Sequence, residues 1–198
     1  NLIFDNSSNQ FNDEINKLMR SDMFQLTFTE SNVKGNRGSF LECCDQSIKA
    51  EDLIFFVEDD YLFKDTCIDE LVFSYSRIST LLDRDVFLCP TDYSFYYDSI
   101  YKTALFIGKN NRWRYVNETL LTFIFSKNIL DKYMRNIKLV GEHENDPFEK
   151  PLDDIYSEVP CLAPITSLSY HLSRTVPGIE SDWLDLWKYN YNKLKSDF

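Results

Sequence analysis

The stretch that most constrains this chain is Leu53 to Phe63, where five apolar residues, Leu53-Ile54-Phe55-Phe56-Val57, end abruptly in Glu58-Asp59-Asp60. An unbroken apolar run of this length predicts a strand covered on both faces, as in a sheet flanked by helices. The acids then fall at the carboxyl end of that strand, the edge on which open α/β sheets bind their ligands. Adjacent carboxylates repel one another and lose hydration. A positive group is therefore expected nearby, most simply a divalent cation with oxygen ligands, Mn2+ or Mg2+, which in turn can hold a phosphate. The same letters also describe a strand that runs into a solvated acidic loop.

The chain has 198 residues, 43% of them hydrophobic, enough for one sizeable core and short for two. Its 12 Tyr and 16 Phe predict aromatic-rich core and pocket walls. A formal charge of −11 argues against a sequence-independent grip on nucleic acid or an anionic membrane, since both need clustered Lys and Arg. No apolar segment reaches the roughly 18 residues of a membrane span, and Asn1-Leu2-Ile3-Phe4-Asp5 has no signal-peptide layout. The expectation is a cytoplasmic chain without a transmembrane segment. Cys43, Cys44, Cys67, Cys89 and Cys161 form no CxxC pair, and the only histidines are His143 and His171. Reduced, partly buried thiols are expected rather than disulfides or a structural zinc site. The sequons at Asn6 and Asn117 are short enough to arise by chance.

Along its length the chain alternates as an α/β domain does. Strands are expected at Leu2–Phe4, Gln25–Thr29, Leu53–Val57 and Val86–Cys89. Helices are expected at Phe11–Met19, from about Ser39 to Ala50, and from Asp65 or Thr66 to Leu82, where Ile68, Leu71, Val72, Tyr75 and Ile78 share a face. Tyr93–Lys102 reads as a loop or short helix. Further strands are expected at Ala104–Ile107, Arg112–Tyr115, Leu120–Phe125 and within Leu162–Tyr170, and helices at Lys127–Ile137, from Pro151, and at Asp182–Leu194. Gly141–Lys150, rich in acids and containing His143, reads as a solvated, mobile lid. Neither an internal repeat nor a linker divides the chain, so one domain over residues 1–198 is expected, parallel-rich in its first half.

The ordered segments "IFDNSS", "GNRGSF", "DLIFFVEDDYLF", "RWRYVNETLLTFIFS", "PLDDIY" and "SLSYHLS...VPG" together resemble a glycosyltransferase of the GT-A fold, of the family 2 type, over almost the whole chain. The resemblance implies a Rossmann-like mixed sheet flanked by helices, binding a nucleotide diphosphate sugar. It implies that Glu58-Asp59-Asp60 is the acidic metal motif, with Asp60 the main ligand and Glu58 or Asp59 facing the ribose or a metal-bound water. It also implies His171 as a further metal ligand and a preference for a UDP-sugar. Domains of this family begin with an earlier strand and helix, so the resemblance implies that this chain opens at the second strand.

Residue chemistry gives each candidate two readings. Asp5 can accept hydrogen bonds from a ribose or a base imide, or serve as an ordinary turn or cap residue. In Gly35-Asn36-Arg37-Gly38-Ser39, Asn36 and Arg37 stand before a helix as a cradle for base or phosphate, or in a plain loop; the Lys-Ser/Thr ending of a P-loop is missing. Arg112-Trp113-Arg114 offers an aromatic platform between two cations, suited to a sugar and a diphosphate, or a half-buried surface pair. Asp153 and Asp154 follow Pro151 at a helix start, where Asp is a natural cap. An inverting transfer needs a general base for the acceptor hydroxyl, and the resemblance assigns an acid of this region, Asp153 before Asp154.

The expected function is thus metal-dependent transfer of a sugar to a carbohydrate or other hydroxyl acceptor, as in polysaccharide biosynthesis. A noncatalytic sugar-binding or scaffolding module on the same fold would keep Trp113 and the tyrosines without a metal. A nucleotidyltransferase or phosphohydrolase would use the same acids and metal for a different product.

Overall fold

The computed structural model describes residues 1–5, 7–18, 27–98, 102–173 and 182–196. The strands are β1 Leu2–Phe4, β2 Phe28–Glu30, β3 Leu53–Phe56, β4 Tyr61–Phe63, β5 Phe87–Leu88, β6 Leu105–Ile107, β7 Arg112–Val116, β8 Phe123–Ser126, β9 Cys161–Pro164 and β10 Ser169–His171. The helices are α1 Asn9–Leu18, α2 Asn36–Ser47, α3 Cys67–Leu82, α4 Lys127–Glu142, α5 Pro151–Tyr156 and α6 Trp183–Ser196. Among the described residues a 3-10 turn covers Ser94–Tyr97. The chain forms two compact units, Asn1–Asp52 with Lys127–Leu152 and Leu53–Ser126 with Asp153–Phe198.

In the first unit β1 and β2 pair in parallel, Leu2 opposite Phe28 and Phe4 opposite Glu30. The Phe4 and Phe28 rings stack at 5.7 Å. Helices α2 and α4 pack together, joined at the surface by a 2.6 Å ion pair between Lys138 and Asp45. The acidic segment after α4 is shorter and better anchored than a free lid. Gly141 and Glu142 belong to the helix, and Asn145 Nδ2 donates to the carbonyls of Leu139, Val140 and His143. A side-chain amide thus satisfies carbonyls that a helix end otherwise leaves open.

The second unit is built on a six-stranded mixed sheet in the order β3-β8-β5-β9-β7-β6. Only β5 and β9 run parallel; the other neighbours are antiparallel. The period-2 pleat sorts its residues onto two faces. Leu88, Phe106, Trp113, Ile124 and Leu162 meet Leu71, Tyr75 and Ile78 of α3. On the opposite face Phe56, Phe87, Phe123 and Phe125 form a cluster of rings with centroids 5.2 to 5.8 Å apart, closed by Tyr156 of α5. Each such buried side chain stabilises the fold by about 1.5–3 kcal/mol. The registers bring the carboxyl ends of β3, β5, β9 and β6 to one edge, with the amino ends of β7 and β8.

The apolar run does form a strand, but β3 ends the sheet's strand order and its burial alternates: Ile54 and Phe56 are buried, Val57 exposed. The sheet is also less parallel than expected, because β3 pairs with the late strand β8. The expected Leu162–Tyr170 strand region is two strands, β9 and β10, and β4 was not anticipated. Asn36 and Arg37 lie in the first turn of α2 rather than in a loop before it. Met19, Gln25, Leu26, the sequon Asn6, residues 99–101 of the tyrosine-rich segment and the Val176-Pro177-Gly178 end of the family pattern lie outside the described residues. The five cysteines are unpaired, and burial pushes the thiols of Cys44, Cys67 and Cys89 up to about 12, which makes them inert. Among the described residues no helix is long and apolar enough to cross a membrane.

Candidate functional site

Past β3 the chain turns through Val57–Asp60 and returns as β4, which pairs antiparallel with β10, His171 opposite Tyr61. Backbone bonds fasten this ribbon at both ends: Leu172 N–H donates to the Asp60 carbonyl at 2.8 Å and Lys64 N–H to the Leu168 carbonyl at 2.9 Å. The ribbon sets Asp60 beside His171, with Nε2 3.1 Å from Oδ2. The imidazole is held by a parallel stack on Tyr61 at 4.6 Å and an edge contact with Tyr93 at 6.2 Å. Its side chain is 11% exposed, whereas that of Asp60 is 48% exposed. The second carboxylate oxygen, Asp60 Oδ1, is buried and has no hydrogen-bond partner.

The rest of the acidic triplet does not converge on this pair. Thr122 Oγ1 accepts the Glu58 backbone N–H at 3.1 Å, and Asp59 is exposed at the turn. Among the described residues no three His, Cys, Asp or Glu side chains form a group that could hold a metal ion. The fit to Mn2+ or Mg2+ is therefore that of two protein ligands. Mg2+ in particular often binds through one or two carboxylates, leaving its other positions to water and substrate phosphate. An orphaned, buried carboxylate oxygen is an atom such a cation would satisfy.

The Arg112-Trp113-Arg114 segment divides by the pleat of β7. Trp113 is fully buried, and its indole N–H donates to Glu70 Oε1 at 3.3 Å, so it offers no open face to a sugar. Arg114 is also buried, 8% exposed, and its guanidinium pairs with Asp92. Tyr97 completes that arrangement: its hydroxyl donates to Asp92 Oδ2 at 2.6 Å, and its ring lies 4.1 Å from the Arg114 guanidinium carbon. An arginine held this way does not reach out to a diphosphate. Arg112 alone remains exposed, at the rim of an open pocket of about 300 Å³ with Lys109, Asn111, Ile165 and Thr166.

The turn that carries Lys109 to Asn111 is held from below by a buried carboxylate that the sequence reading missed. Glu70 of α3 accepts the backbone N–H groups of Lys109 at 2.9 Å, Asn110 at 2.7 Å and Asn111 at 3.3 Å, together with the Ser74 hydroxyl at 2.8 Å. A Cβ at Gly108 would lie 2.3 Å from Glu70 Oε1, so only glycine lets the turn approach this closely. The helical period of α3 is the signal that could have found it: Glu70 shares the buried stripe of Cys67, Leu71, Ser74 and Ile78, whereas its neighbour Asp69 falls on the exposed face.

Asp153 and Asp154 lie in the first turn of α5, both exposed. Glu118, also exposed, is their unforeseen neighbour: burial, and then the charge of Asp153, raise its carboxyl above the usual range. The Thr119–Tyr156 hydroxyl contact, 2.6 Å, ties the Glu118 segment to the end of α5.

In the first unit, Asp5 Oδ2 accepts the Gly35 N–H at 2.6 Å, while Asp5 Oδ1 is buried without a partner. Gly35 caps α2 with φ of +89°, a conformation that costs side-chain-bearing residues strain. Asn36 and Arg37 follow it, exposed on the first helical turn. Comparison with protein-family models, with curated proteins and with solved structures gave no match.

Proposed function

We propose that the chain is a metal-dependent glycosyltransferase of GT-A type, moving a sugar from a nucleotide diphosphate donor to an acceptor hydroxyl with inversion. The observation that carries this reading is the Asp60–His171 pair with its orphaned carboxylate oxygen, at the strand edge expected to bind ligand. Asp60 and His171 would hold the cation. When bound, it supplies positive charge against the leaving diphosphate.

The chain's own residues do the rest. Tyr61 and Tyr93 fix the plane of His171, so that Nε2 keeps its direction toward Asp60. Of the two arginines flanking Trp113, Arg112 is the exposed one and is available to donor phosphate. Asp153 takes the proton of the acceptor hydroxyl as the new bond to the anomeric carbon forms and the bond to the diphosphate oxygen breaks. Trp113 and Tyr93 are buried, so neither offers a sugar an open platform of the kind a noncatalytic sugar-binding module would use, while Tyr97 stays exposed.

The test is a donor screen. The protein is incubated with a panel of nucleotide sugars, UDP-sugars first, with Mn2+ and a set of hydroxyl acceptors, and free nucleoside diphosphate and glycosidic product are measured together. Asp60→Asn should abolish metal-dependent nucleotide binding by calorimetry while leaving the fold intact. Unchanged binding in that variant, or release of pyrophosphate or a nucleoside monophosphate instead of the intact diphosphate, overturns the assignment.

A further inference from the structure

Where the carboxyl ends of β6 and β9 meet the amino end of β7, the sheet edge opens into the pocket of about 300 Å³. Ile107 and Ile165 are its apolar walls, and its polar groups come from the turn Lys109–Arg112 and from Thr166. Both walls are fixed from behind. Glu70, 1% exposed, holds the backbone of Lys109, Asn110 and Asn111, and Gly108 N–H donates to the Asn111 carbonyl at 2.8 Å. On the other wall Ile165 N–H donates to the Arg112 carbonyl at 2.8 Å. Buried Ser167, next to Thr166, accepts the Asp92 N–H and donates to the Ser169 carbonyl, both at 2.8 Å. The side chains that line the opening are engaged differently. Among the described residues, those of Asn110, Asn111, Arg112 and Thr166 make no ion pair or hydrogen bond. Lys109 is held by Asp69 of α3, and Arg114, next on the Arg112 face of β7, is held by Asp92.

We propose that this pocket binds an anionic monosaccharide, a single sugar ring bearing one carboxylate or phosphate, with the anion on Arg112 and the ring between Ile107 and Ile165. Three features select this ligand. The Arg112 guanidinium is a planar fork that matches a carboxylate or a phosphate oxygen pair, and no acid lines the pocket to compete for it. Two side-chain amides and a hydroxyl, Asn110, Asn111 and Thr166, offer donors and acceptors together, as the hydroxyls of a sugar require, while the two isoleucines suit the C–H face of a ring. The volume lies at the small end of ligand pockets, enough for one substituted ring and short for a nucleotide. The anchoring of the turn by Glu70 gives the purpose of that buried carboxylate: it holds the polar side chains in place before the ligand arrives, which lowers the cost of ordering them. The proposal shares Arg112 with the sugar-transfer reading but needs no metal and uses neither Asp60 nor Asp153.

The experiment is calorimetric titration of the full chain, in buffer with a chelator, with glucuronate and glucose 6-phosphate as the two anionic sugars and with glucose and inorganic phosphate as controls. At least one anionic sugar should bind, with Kd at or below about 1 mM, and the tighter of the two names the anion. Glucose lacks the charge and inorganic phosphate lacks the ring, so each should bind about tenfold more weakly or not at all. Arg112→Gln should weaken the anionic sugar about tenfold or more at an unchanged melting temperature, since a charge-assisted bond is lost from an exposed position. Arg77→Gln removes the same charge from an exposed position on α3 and should bind as the wild type does, which separates contact from net charge. No binding of either anionic sugar up to about 10 mM overturns the proposal. So does binding that survives Arg112→Gln, binding of glucose or inorganic phosphate as tight as that of the anionic sugars, or binding that appears only with Mn2+, which would place the ligand at Asp60 and His171. A failed donor screen leaves the proposal standing, because nothing in this titration depends on transfer.

Discussion

Asp153 stands where an acid can do two jobs, and its surroundings separate them. As a cap it would need only the first turn of α5, which Asp154 shares. As a base it needs exposure to an acceptor, which its place on the surface gives it, while the neighbouring Glu118 is the carboxyl raised above its usual range, by burial and then by the charge of Asp153. Asp153→Asn should therefore lower turnover about 10²-fold or more with donor affinity nearly constant, since the lost interaction belongs to the transition state. Asp154→Asn should do less. Full activity in both, measured as kcat and KM separately, would leave these residues as helix caps. Glu118 was not legible in the sequence because its nearness to Asp153 is made by tertiary folding, with no local spacing to announce it. Asp60 and His171, 111 residues apart, were joined in advance only through the family pattern.

At the scale of elements, the turn between β6 and β7 depends on α3 through one side chain. Burial alone would raise the Glu70 carboxyl, but the Ser74 hydroxyl, the Asn110 N–H, the Trp113 indole and the Asn111 N–H all bond the charged form, and its pKa falls below the usual glutamate range. A group depressed on folding stabilises the fold above its unfolded pKa and ceases to do so as the pH drops through the folded one. Glu70→Gln replaces an acceptor with an amide N–H2 facing donors, and should cost about 2–3 kcal/mol at neutral pH. The gap between wild type and variant should hold steady above about pH 4.3, the ordinary glutamate value, and close below it. Urea denaturation of both proteins across that range checks this, and a gap that widens in acid would contradict it. The helices and longer strands were readable because their periodicities are local. The strand β4, three residues with no alternation to count, exists only because β10 pairs with it. Trp113 and Arg114 were misplaced for a related reason: an Arg-Trp-Arg triplet shows its chemistry but not which side of the pleat is covered.

Across the whole molecule, charge is the property the sequence states most directly. The chain has 32 acids against 21 Lys and Arg. Surface pairs such as Lys109–Asp69, Lys127–Asp131 and Lys138–Asp45 use some of the cations, and each contributes only about 0–1 kcal/mol in water. The excess carboxylates repel one another over distances comparable with the Debye length, about 10 Å at 0.1 M salt. Added NaCl weakens both effects, and because the repulsion involves every unpaired acid while the attraction involves a few exposed pairs, the repulsion should lose more. The Arg114–Asp92 pair and the Glu70 network are buried, and salt screens them much less. Raising NaCl from about 0.02 to about 0.3 M should therefore raise the midpoint of thermal unfolding by about 2–4 °C, the shift that roughly 1 kcal/mol produces in a chain of this size. A midpoint that falls with salt would mean that the surface ion pairs, and not the net charge, dominate the electrostatics of folding.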